Sequence, residues 1–492
     1  MMRFRDLLRT FLVMSMFMGM AMQLSAKTHS KKTFLAPRAV GTNLPMELTT
    51  WHELSYQKLE KKHGHNIFSH LTMTPFYQAS DNKDDVGEYF GIGNGKNSFV
   101  VGSVDAFNAG TADIVGTDLI HDFSNANPSL AGTVAFSPKQ ETWGVRFDYF
   151  QSFSHPFGGL FFKASMPVVY VENNVDMGVA NSVKDEIAGE AFSIADFFAG
   201  NVEVTSDMDV NSLQSPLTHA KIAGDESKFG VADINLALGY KIHETKTDHI
   251  YLSAQIDVPT GPRPNGEYLF QPVLGNGKHF ALGARLDGAV ELWSNKNAAV
   301  RVLLDVDYRY LFESSENRTI GVKDLNLAHY YMAGKIGQEE APLFPAANIL
   351  TQSIRVKPGS QFDILADLSF KSGGFIIDLG YNFFYKDEED CWMKETWTDG
   401  VYALASNDYS TNNEFGALAT DVLHTLNSAD LDVDALKTPS QVTNKIFAGL
   451  GYQFNYSKSV PGLVGIGGSY EFASDNAALE NYSVWLKLGV SF

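Results

Sequence analysis

The chain has 492 residues, a formal net charge of −19, 44% hydrophobic residues and 12% aromatic residues. This composition excludes a disordered chain, and the single cysteine, Cys391, excludes a disulfide-stabilised scaffold. The acidic balance argues against nucleic acid as a partner, because two like charges repel.

The N-terminus has the three parts of a secretory signal peptide. Arg3, Arg5 and Arg9 make it positive, an apolar run extends from Phe11 to Leu24, and Ser25-Ala26 supplies small residues at a cleavage point. The run is shorter than the ~20 residues of a spanning helix. We therefore predict a signal peptide over residues 1–26. No later stretch approaches the length of a membrane helix, which excludes a helical membrane protein.

Residues 27–64 differ in character from the rest of the chain. Their apolar residues recur roughly at helical spacing, Thr42 or Asn43 is a suitable helix cap, and Pro45 suits a first turn. We expect either a plug inside a barrel or a periplasmic tail. The apolar residues of this helix would be Leu44, Leu48, Trp51, Leu54 and Leu59.

From residue 65 to residue 492 apolar and polar residues alternate in segments of about ten residues, as in transmembrane strands. In the last segment Tyr482, Val484 and Leu486 point one way, while Ser483 and Lys487 point the other. The predicted fold class is all-β, a transmembrane antiparallel β-barrel of about 14 strands, with 12 to 16 strands left open. The candidate strands are 65–78, 98–104, 131–138, 142–152, 159–172, 229–243, 249–259, 279–293, 299–313, 360–371, 375–386, 441–457, 463–474 and 480–492.

Short turns alternate with long connections along the barrel, which is the pattern of periplasmic turns and extracellular loops. Loop 387–440 contains twelve acids and two lysines, a net charge of −10. Loop 173–228 contains ten acids and three lysines, a net charge of −7. These loops either concentrate cations at the mouth or are simply solvated. With aspartates on the inner faces, we expect any conductance to prefer cations.

The turns also predict which charged residues face each other inside the barrel. A three-residue hairpin at Asn295-Lys296-Asn297 places Glu291 opposite Arg301, Arg285 opposite Asp307 and Asp287 opposite Asp305. A two-residue turn at Ser372-Gly373 would place Asp367 opposite Asp378, and Arg301 or Arg309 is positioned to bridge such like charges. The wall is then either a polar constriction or ordinary barrel filling. The candidate lumen residues are Arg285, Asp287, Glu291, Arg301, Asp305, Asp307, Arg309, Asp367 and Asp378.

The sequences that suggest phosphate, zinc or calcium sites do not match the complete motifs. Gly93-Asn94-Gly95-Lys96 and Gly275-Asn276-Gly277-Lys278 lack the spacing of a phosphate loop and indicate tight turns. His63, His65 and His70 are too loosely spaced for a zinc site. Asp430, Asp432 and Asp434 match half of a calcium loop, which lacks its Gly and closing Glu and would be a weak divalent site at most. We therefore predict no enzyme, no metal site and no cofactor.

One region resembles a known family. The segment from Ala232 to Lys241, the sequence Val258-Pro259-Thr260-Gly261 and the strand from Phe280 to Trp293 resemble the outer-membrane proteins of phenol and aromatic degradation, relatives of the long-chain fatty-acid transporters. The resemblance covers residues 230–293 and implies a channel for small, rather apolar molecules. The Asn-Pro-Ala motif of the fatty-acid transporter plug is absent from this sequence.

These observations predict an outer-membrane channel or transporter of a Gram-negative cell, surrounded by lipid, that passes small solutes, including apolar or aromatic ones. The alternative is a surface anchor whose acidic loops bind a partner or divalent cations. Phe492 and the alternating residues before it partly match the signal read by the barrel-assembly machinery, so deleting Phe492 should reduce insertion. The oligomeric state is left open.

Overall fold

The computed structural model describes residues 28–50, 68–120, 130–153, 158–183, 185–187, 190–205, 212–245, 247–337, 342–404, 424–457 and 460–492. The predicted signal peptide lies outside these residues, as do Trp51, Leu54, Leu59, His63 and His65. Within them, no helix is both long and apolar enough to cross a membrane.

Twelve antiparallel strands form a closed ring, in which each strand pairs with its neighbours in sequence and β1 closes the ring by pairing with β12. A further strand, Glu226–Val231, precedes β4 in the chain. It pairs with one part of β3 and β4 pairs with the next part, so Glu226–Val231 and β4 lie in line and are separated by Ala232 and Asp233. The ring strands are β1 Phe68–Ser80, β2 Lys139–Ser152, β3 Leu160–Asn174, β4 Ile234–Glu244, β5 His249–Val258, β6 Ala281–Ser294, β7 Ala298–Leu311, β8 Gly359–Ser372, β9 Phe375–Lys386, β10 Gln441–Ser457, β11 Val460–Ala473 and β12 Asn481–Ser491.

The predicted number of about fourteen strands is therefore wrong by two, and the ring has the lower number that the sequence left open. The segments predicted at 98–104 and 131–138 form the short strands Ser98–Gly102 and Ala131–Ala135, which belong to a separate four-stranded sheet. Five residues are too few to span a bilayer, which takes about 9–11 residues in a tilted strand.

Side chains alternate between the two faces of the ring strands. The outward face carries exposed apolar residues, and the inward face is mostly polar and charged. Exposure of such an apolar belt to water would be unfavourable, so the ring is a barrel of the outer membrane with its apolar face toward lipid. The outward residues include Leu282, Leu286, Leu379, Ile446, Leu450, Ile466 and Val484.

The register of β6 and β7 places Arg285 opposite Asp307, Asp287 opposite Asp305 and Glu291 opposite Arg301, as predicted. The turn itself differs from the predicted three-residue hairpin, because Ser294 lies opposite Ala299 and Trp293 opposite Val300, and a bulge between Glu291 and Trp293 restores the predicted register. The predicted facing pair Asp367 and Asp378 is wrong. Asp367 lies opposite Gly380 and Asp378 opposite Ser369. The two-residue loop consists of Gly373 and Gly374, because Gly373 has the positive φ of 60° that this tight hairpin needs.

The long loops all leave the same end of the barrel and fold over it as a lid. Their described parts bury one apolar cluster that includes Tyr89, Phe136, Phe198 and Tyr330, and a second that includes Leu350. The lid helices are Lys83–Phe90, Val104–Asn108, Gly116–Leu119, Ile194–Ala199, Ala328–Tyr330 (a 3-10 turn) and Ala347–Leu350. The other lid strands are Ile114–Val115, Gly178–Val183, Asp185–Ile187, Glu190–Phe192, Val204–Thr205, Ser212–Gln214, Ser314–Thr319, Gly321–Val322, Met332–Lys335, Phe344–Pro345, Thr351–Lys357, Asp390–Met393, Tyr402–Leu404, His424–Thr425 and Leu431–Asp432.

Candidate functional site

Residues 28–50, here called the inner segment, run from the lid into the lumen. At the lid end, the His29 amide donates to Asn476 (2.8 Å) and the Lys32 ammonium donates to the carbonyl of Asp434 (2.7 Å). The Thr33 hydroxyl donates to the carbonyl of Thr319 (2.5 Å). The segment is therefore tied to three separate loops at its outer end.

Below these contacts, the ring of Phe34 lies 3.6 Å from the guanidinium carbon of Arg318. Arg318 is buried and pairs with Glu316 (2.7 Å) and Glu389 (2.6 Å). Burial acts to raise the pKa of Glu389, but the charges of Arg318 and Lys386, together with hydrogen bonds from Arg318 and the Thr438 amide, outweigh it and lower that pKa to about 2. Glu389 therefore stays ionised, and the lid rests on a satisfied buried charge cluster.

Arg38 is the first charged residue of the inner segment within the barrel. Its Nη2 donates to Asp363 (2.5 Å) and to Asn382 (3.1 Å), and its Nη1 donates to Glu471 (2.9 Å). The guanidinium also lies 4.4 Å from the ring centroid of Phe384. Two carboxylates, an amide and an aromatic face thus surround one cation.

A short helix, Leu44–Leu48, occupies the middle of the lumen. Asn43 caps it by accepting from the Met46 amide (3.3 Å), and Pro45 lies in its first turn. The helix ends at Leu48, since Thr49 is extended and Thr50 has a φ of 64°. Its apolar residues pack against wall residues that include Phe76, Val169, Leu365, Phe447 and Trp485.

Glu47 of this helix links two walls of the barrel. Its carboxylate accepts from Arg146 on β2 (2.5 Å) and from Arg285 on β6 (2.6 Å), strands that lie four positions apart in the ring. Each arginine also holds a carboxylate of the wall, Asp148 for Arg146 (2.7 Å) and Asp305 for Arg285 (2.8 Å). Glu47 therefore completes a buried chain of alternating charges across the lumen.

The inner end of the segment is held by Lys487 and Asp378. The Lys487 ammonium donates to the carbonyls of Glu47 (2.7 Å) and Thr49 (2.6 Å). The Thr50 amide donates to Asp378 (2.6 Å). The carbonyls of Glu47 and Thr49 and the amide of Thr50 are thus bound to buried wall residues.

Glycines on β10 and β11 make room for this inner end. A Cβ atom on Gly449 would lie 2.0 Å from Thr49 Cγ2, and one on Gly451 would lie 2.7 Å from Thr50 Cγ2. A Cβ on Gly465 would lie 2.9 Å from the Thr50 hydroxyl. Any larger residue would displace the segment, so this wall has a recess shaped for Thr49 and Thr50.

The other predicted lumen residues are also inward. His249 Nε2 lies 2.6 Å from the carboxylate of Asp287, and Arg309 pairs with Asp307 (2.8 Å) and Asp257 (3.4 Å). Arg301 pairs with Glu291 (3.5 Å), its predicted partner across the hairpin. Asp367 is 2% exposed, and neither of its carboxylate oxygens has a hydrogen-bond partner among the described residues.

The sequence did not single out Arg38, Glu47, Glu471 or Lys487 as site residues. Lys487 lies at an inward position of the alternating last strand, which was the one signal available for it. Glu471 is inward by the same alternation on β11. Nothing in the pattern around Arg38 and Glu47 could indicate which wall residues they contact.

Four cavities border the inner segment: three of about 20 Å³ each and a fourth of about 30 Å³, lined in part by Phe34, Ala36 and Pro37. The first and second share Ala39, and the second and third share Ser165 and Asn235. Each has room for about one or two water molecules. Along the described residues, these spaces admit water and are too small for an organic solute.

No group of three or more metal-ligating side chains occurs among the described residues. Asp432 accepts from the amides of Asp434 and Ala435, and Asp434 pairs with Lys437 (2.6 Å). His70 contacts the Ser491 hydroxyl (2.9 Å). The glycines of the two Gly-Asn-Gly-Lys sequences have positive φ, so both are turns, as predicted.

The chain matches no protein-family model and no curated protein sequence. Solved structures that resemble it include an outer membrane channel from Pseudomonas putida F1, with 8% identity, 86% of this chain and 96% of that chain covered, and a TM-score of 0.38. The CymD monoaromatic hydrocarbon channel has 10% identity, coverage of 96% and 98%, and a TM-score of 0.28. A FadL homologue of Pseudomonas aeruginosa has 8% identity, coverage of 87% and 90%, and a TM-score of 0.28.

Proteins of the kinds named by the resemblance at residues 230–293 are thus among the matches. At these identities the likeness is one of fold. The closed ring and its apolar belt identify the chain, on its own geometry, as an outer-membrane β-barrel with an occupied lumen.

Proposed function

We propose that this protein is a gated outer-membrane channel for small solutes, closed here by the inner segment and opened when that segment leaves its sites. The observation that carries the proposal is the bridge from Arg146 through Glu47 to Arg285, which ties two distant strands through a residue that belongs to neither. A barrel that served only as an anchor has no need of such a linkage.

The kind of contact also supports movement. Buried ion pairs fix position well, but they add little net stability, because desolvation offsets most of the attraction. The inner segment is held by such pairs at Arg38 and Glu47. Its apolar helix is only five residues long. A segment held in this way can exchange its partners for water or for a solute at modest cost.

The wall supports a polar or charged solute more than the apolar class implied by the resemblance. Most inward residues along the inner segment are Asp, Glu, Arg, Lys, Asn or Gln. One aromatic cluster, formed by Phe150, Phe161 and Tyr251, lies on β2, β3 and β5. A purely apolar solute would have to desolvate charged groups along its path, which is unfavourable.

A variant that lacks residues 28–50 tests the proposal in planar lipid bilayers. We expect the wild type to be closed for most of the time and the variant to show steady conductance. Heat-modifiable gel mobility verifies that the variant has folded as a barrel. A folded variant that is as closed as the wild type would overturn the proposed function.

The second candidate is a surface-binding protein, favoured by the lid, because its loops are packed around apolar clusters of their own. Loops that served only as a channel mouth do not require such a core. Replacing residues 405–423, part of the acidic loop, by a short Gly-Ser linker separates the two functions. Lost surface binding with unchanged conductance would favour this candidate, whereas altered conductance with unchanged binding would favour the channel.

A further inference from the structure

The surroundings of Arg38 have the composition of a binding site for a cation. Asp363, Glu471, Asn382 and the ring of Phe384, here called the Arg38 site, converge on one guanidinium and are themselves at least 90% buried. These four residues lie on three strands of the wall: Asp363 on β8, Asn382 and Phe384 on β9, and Glu471 on β11. The wall thus provides the site, and the inner segment provides the occupant.

The charges of this site do not balance without the occupant. Asp363 and Glu471 contribute two negative charges, and Lys445, which pairs with Glu471 at 3.0 Å, contributes one positive charge. With Arg38 the sum is zero. When the inner segment leaves, one buried negative charge is left over, and a buried charge without a partner is costly. Another cation is therefore favoured in its place.

Two independent features direct cations toward this site. The loops 387–440 and 173–228 carry 17 net negative charges at the lid end, which raises the local concentration of cations. Further along the lumen, Asp367 is buried with both carboxylate oxygens unpartnered among the described residues. A cationic solute would thus meet acidic groups before and after the Arg38 site.

We infer that the Arg38 site binds the guanidinium or primary ammonium group of an organic cation, and that Arg38 occupies it as a tethered substitute while the channel is closed. As the site of a transported solute, it rests on the proposed function. Carboxylates in a fork accept parallel N–H bonds, and the Phe384 face attracts a flat or compact cation. A solute that binds here competes directly with the inner segment.

The test uses the purified full-length R38A protein and methylguanidinium as the probe, with methylurea as its neutral counterpart of the same shape. Isothermal titration calorimetry measures binding to wild type, R38A and the double variants R38A/D363N and R38A/F384L. R38A/D390N is the matched control, because Asp390 is an exposed lid acid paired with Lys357. Gel mobility and circular dichroism verify that each variant folds.

We expect R38A to bind methylguanidinium at least tenfold more tightly than methylurea and at least tenfold more tightly than the wild type does, since Arg38 fills the wild-type site. D363N and F384L should each weaken binding severalfold, and D390N should leave it unchanged. A folded R38A protein that binds neither probe, or binds both equally, would overturn the inference. If R38A binds methylguanidinium as expected but the variant that lacks residues 28–50 never conducts, the proposed function is overturned and the cation site still stands.

Discussion

Replacing Glu47 by alanine removes the carboxylate that joins Arg146 on β2 to Arg285 on β6. Both arginines are at most 5% exposed, so they stay desolvated as long as the inner segment remains in place. Each retains one wall carboxylate, Asp148 or Asp305. The substitution therefore destabilises the closed state, while in the open state water solvates the same groups.

Breaking a buried ion pair by removing one partner costs about 3–5 kcal/mol. Because both arginines keep a second carboxylate, we expect the lower end, about 3 kcal/mol. At ~1.4 kcal/mol for each factor of ten, the ratio of open to closed channels should rise roughly a hundredfold. Glu47→Gln keeps the size of the side chain and an acceptor oxygen, so its ratio of open to closed channels should lie between those of the wild type and Glu47→Ala.

Single-channel recording measures this ratio as the fraction of time spent open. The matched control is Glu267→Ala, which removes an exposed lid carboxylate that pairs with Lys221 at 3.0 Å. Exposed pairs contribute about 0–1 kcal/mol, so this variant should behave as wild type. A folded Glu47→Ala protein with the open fraction of the wild type would refute the reasoning that the bridge holds the gate closed.

Three more outcomes are expected. Gly451→Val should crowd Thr50 and raise solute flux in liposome swelling, whereas Gly178→Val, which meets open space, should not; equal flux would contradict the recess. Burial lowers the pKa of the lid residue His329 from 6.5 to about 3, so the folded lid should lose about 1.4 kcal/mol per pH unit as pH falls from about 6.5 toward 3. Protease cleavage of the lid loops should rise over that range, and His329→Leu should flatten the profile; an unchanged profile would exclude His329 as the cause. Reversal potentials in a KCl gradient should show a moderate cation preference, moderate because Arg146, Arg285, Arg301 and Arg309 oppose the acids. That preference should shrink at high salt, where screening shortens to ~3 Å, and in Asp367→Asn/Asp378→Asn. An anion-selective wild type would contradict the charge argument, and an unchanged double variant would contradict the role of the two aspartates.

The barrel strands could be predicted because one physical constraint repeats along them. Lipid on one side and a polar interior on the other impose a period of two on the apolar residues, and the thickness of the bilayer sets the length of each strand. The same constraint explains the error at 98–104 and 131–138. The lid buries an apolar core of its own, so Phe99 and Val101 alternate with polar or less buried neighbours as barrel residues do.

The register was predicted correctly at one hairpin, although the turn itself was not. A three-residue hairpin at Asn295-Lys296-Asn297 predicted the pairs Arg285–Asp307 and Glu291–Arg301, and both form. Beside the turn the strands are one residue out of that register, and a bulge between Glu291 and Trp293, which no local pattern indicated, compensates for the difference. At Ser372-Gly373-Gly374 two adjacent positions suit a two-residue loop. Local sequence did not distinguish them, and the wrong choice shifted Asp367 relative to Asp378 by two residues.

The contacts of the inner segment could not be predicted from one sequence. Arg38 and Glu471 are separated by 433 residues, and Glu47 and Arg285 by 238. Neither pair is linked by a turn that fixes a register. A glycine at Gly449 or Gly451 reads as an ordinary small residue in a strand until the threonine that fills the space is known.

A reversible disulfide between the inner segment and the wall tests whether the segment closes the channel. A Cβ on Gly449 would lie 3.4 Å from Thr49 Cβ, close to the 3.5–4.5 Å between the Cβ atoms of a disulfide. In T49C/G449C/C391S, solute flux into liposomes is measured before and after reduction, with C391S as the control. We expect the oxidised protein to be closed and reduction to raise the flux to at least that of C391S, since the cysteine at position 449 also crowds the segment once the disulfide is open. Equal flux in the oxidised and reduced forms, with the disulfide verified by mass spectrometry, would contradict this expectation.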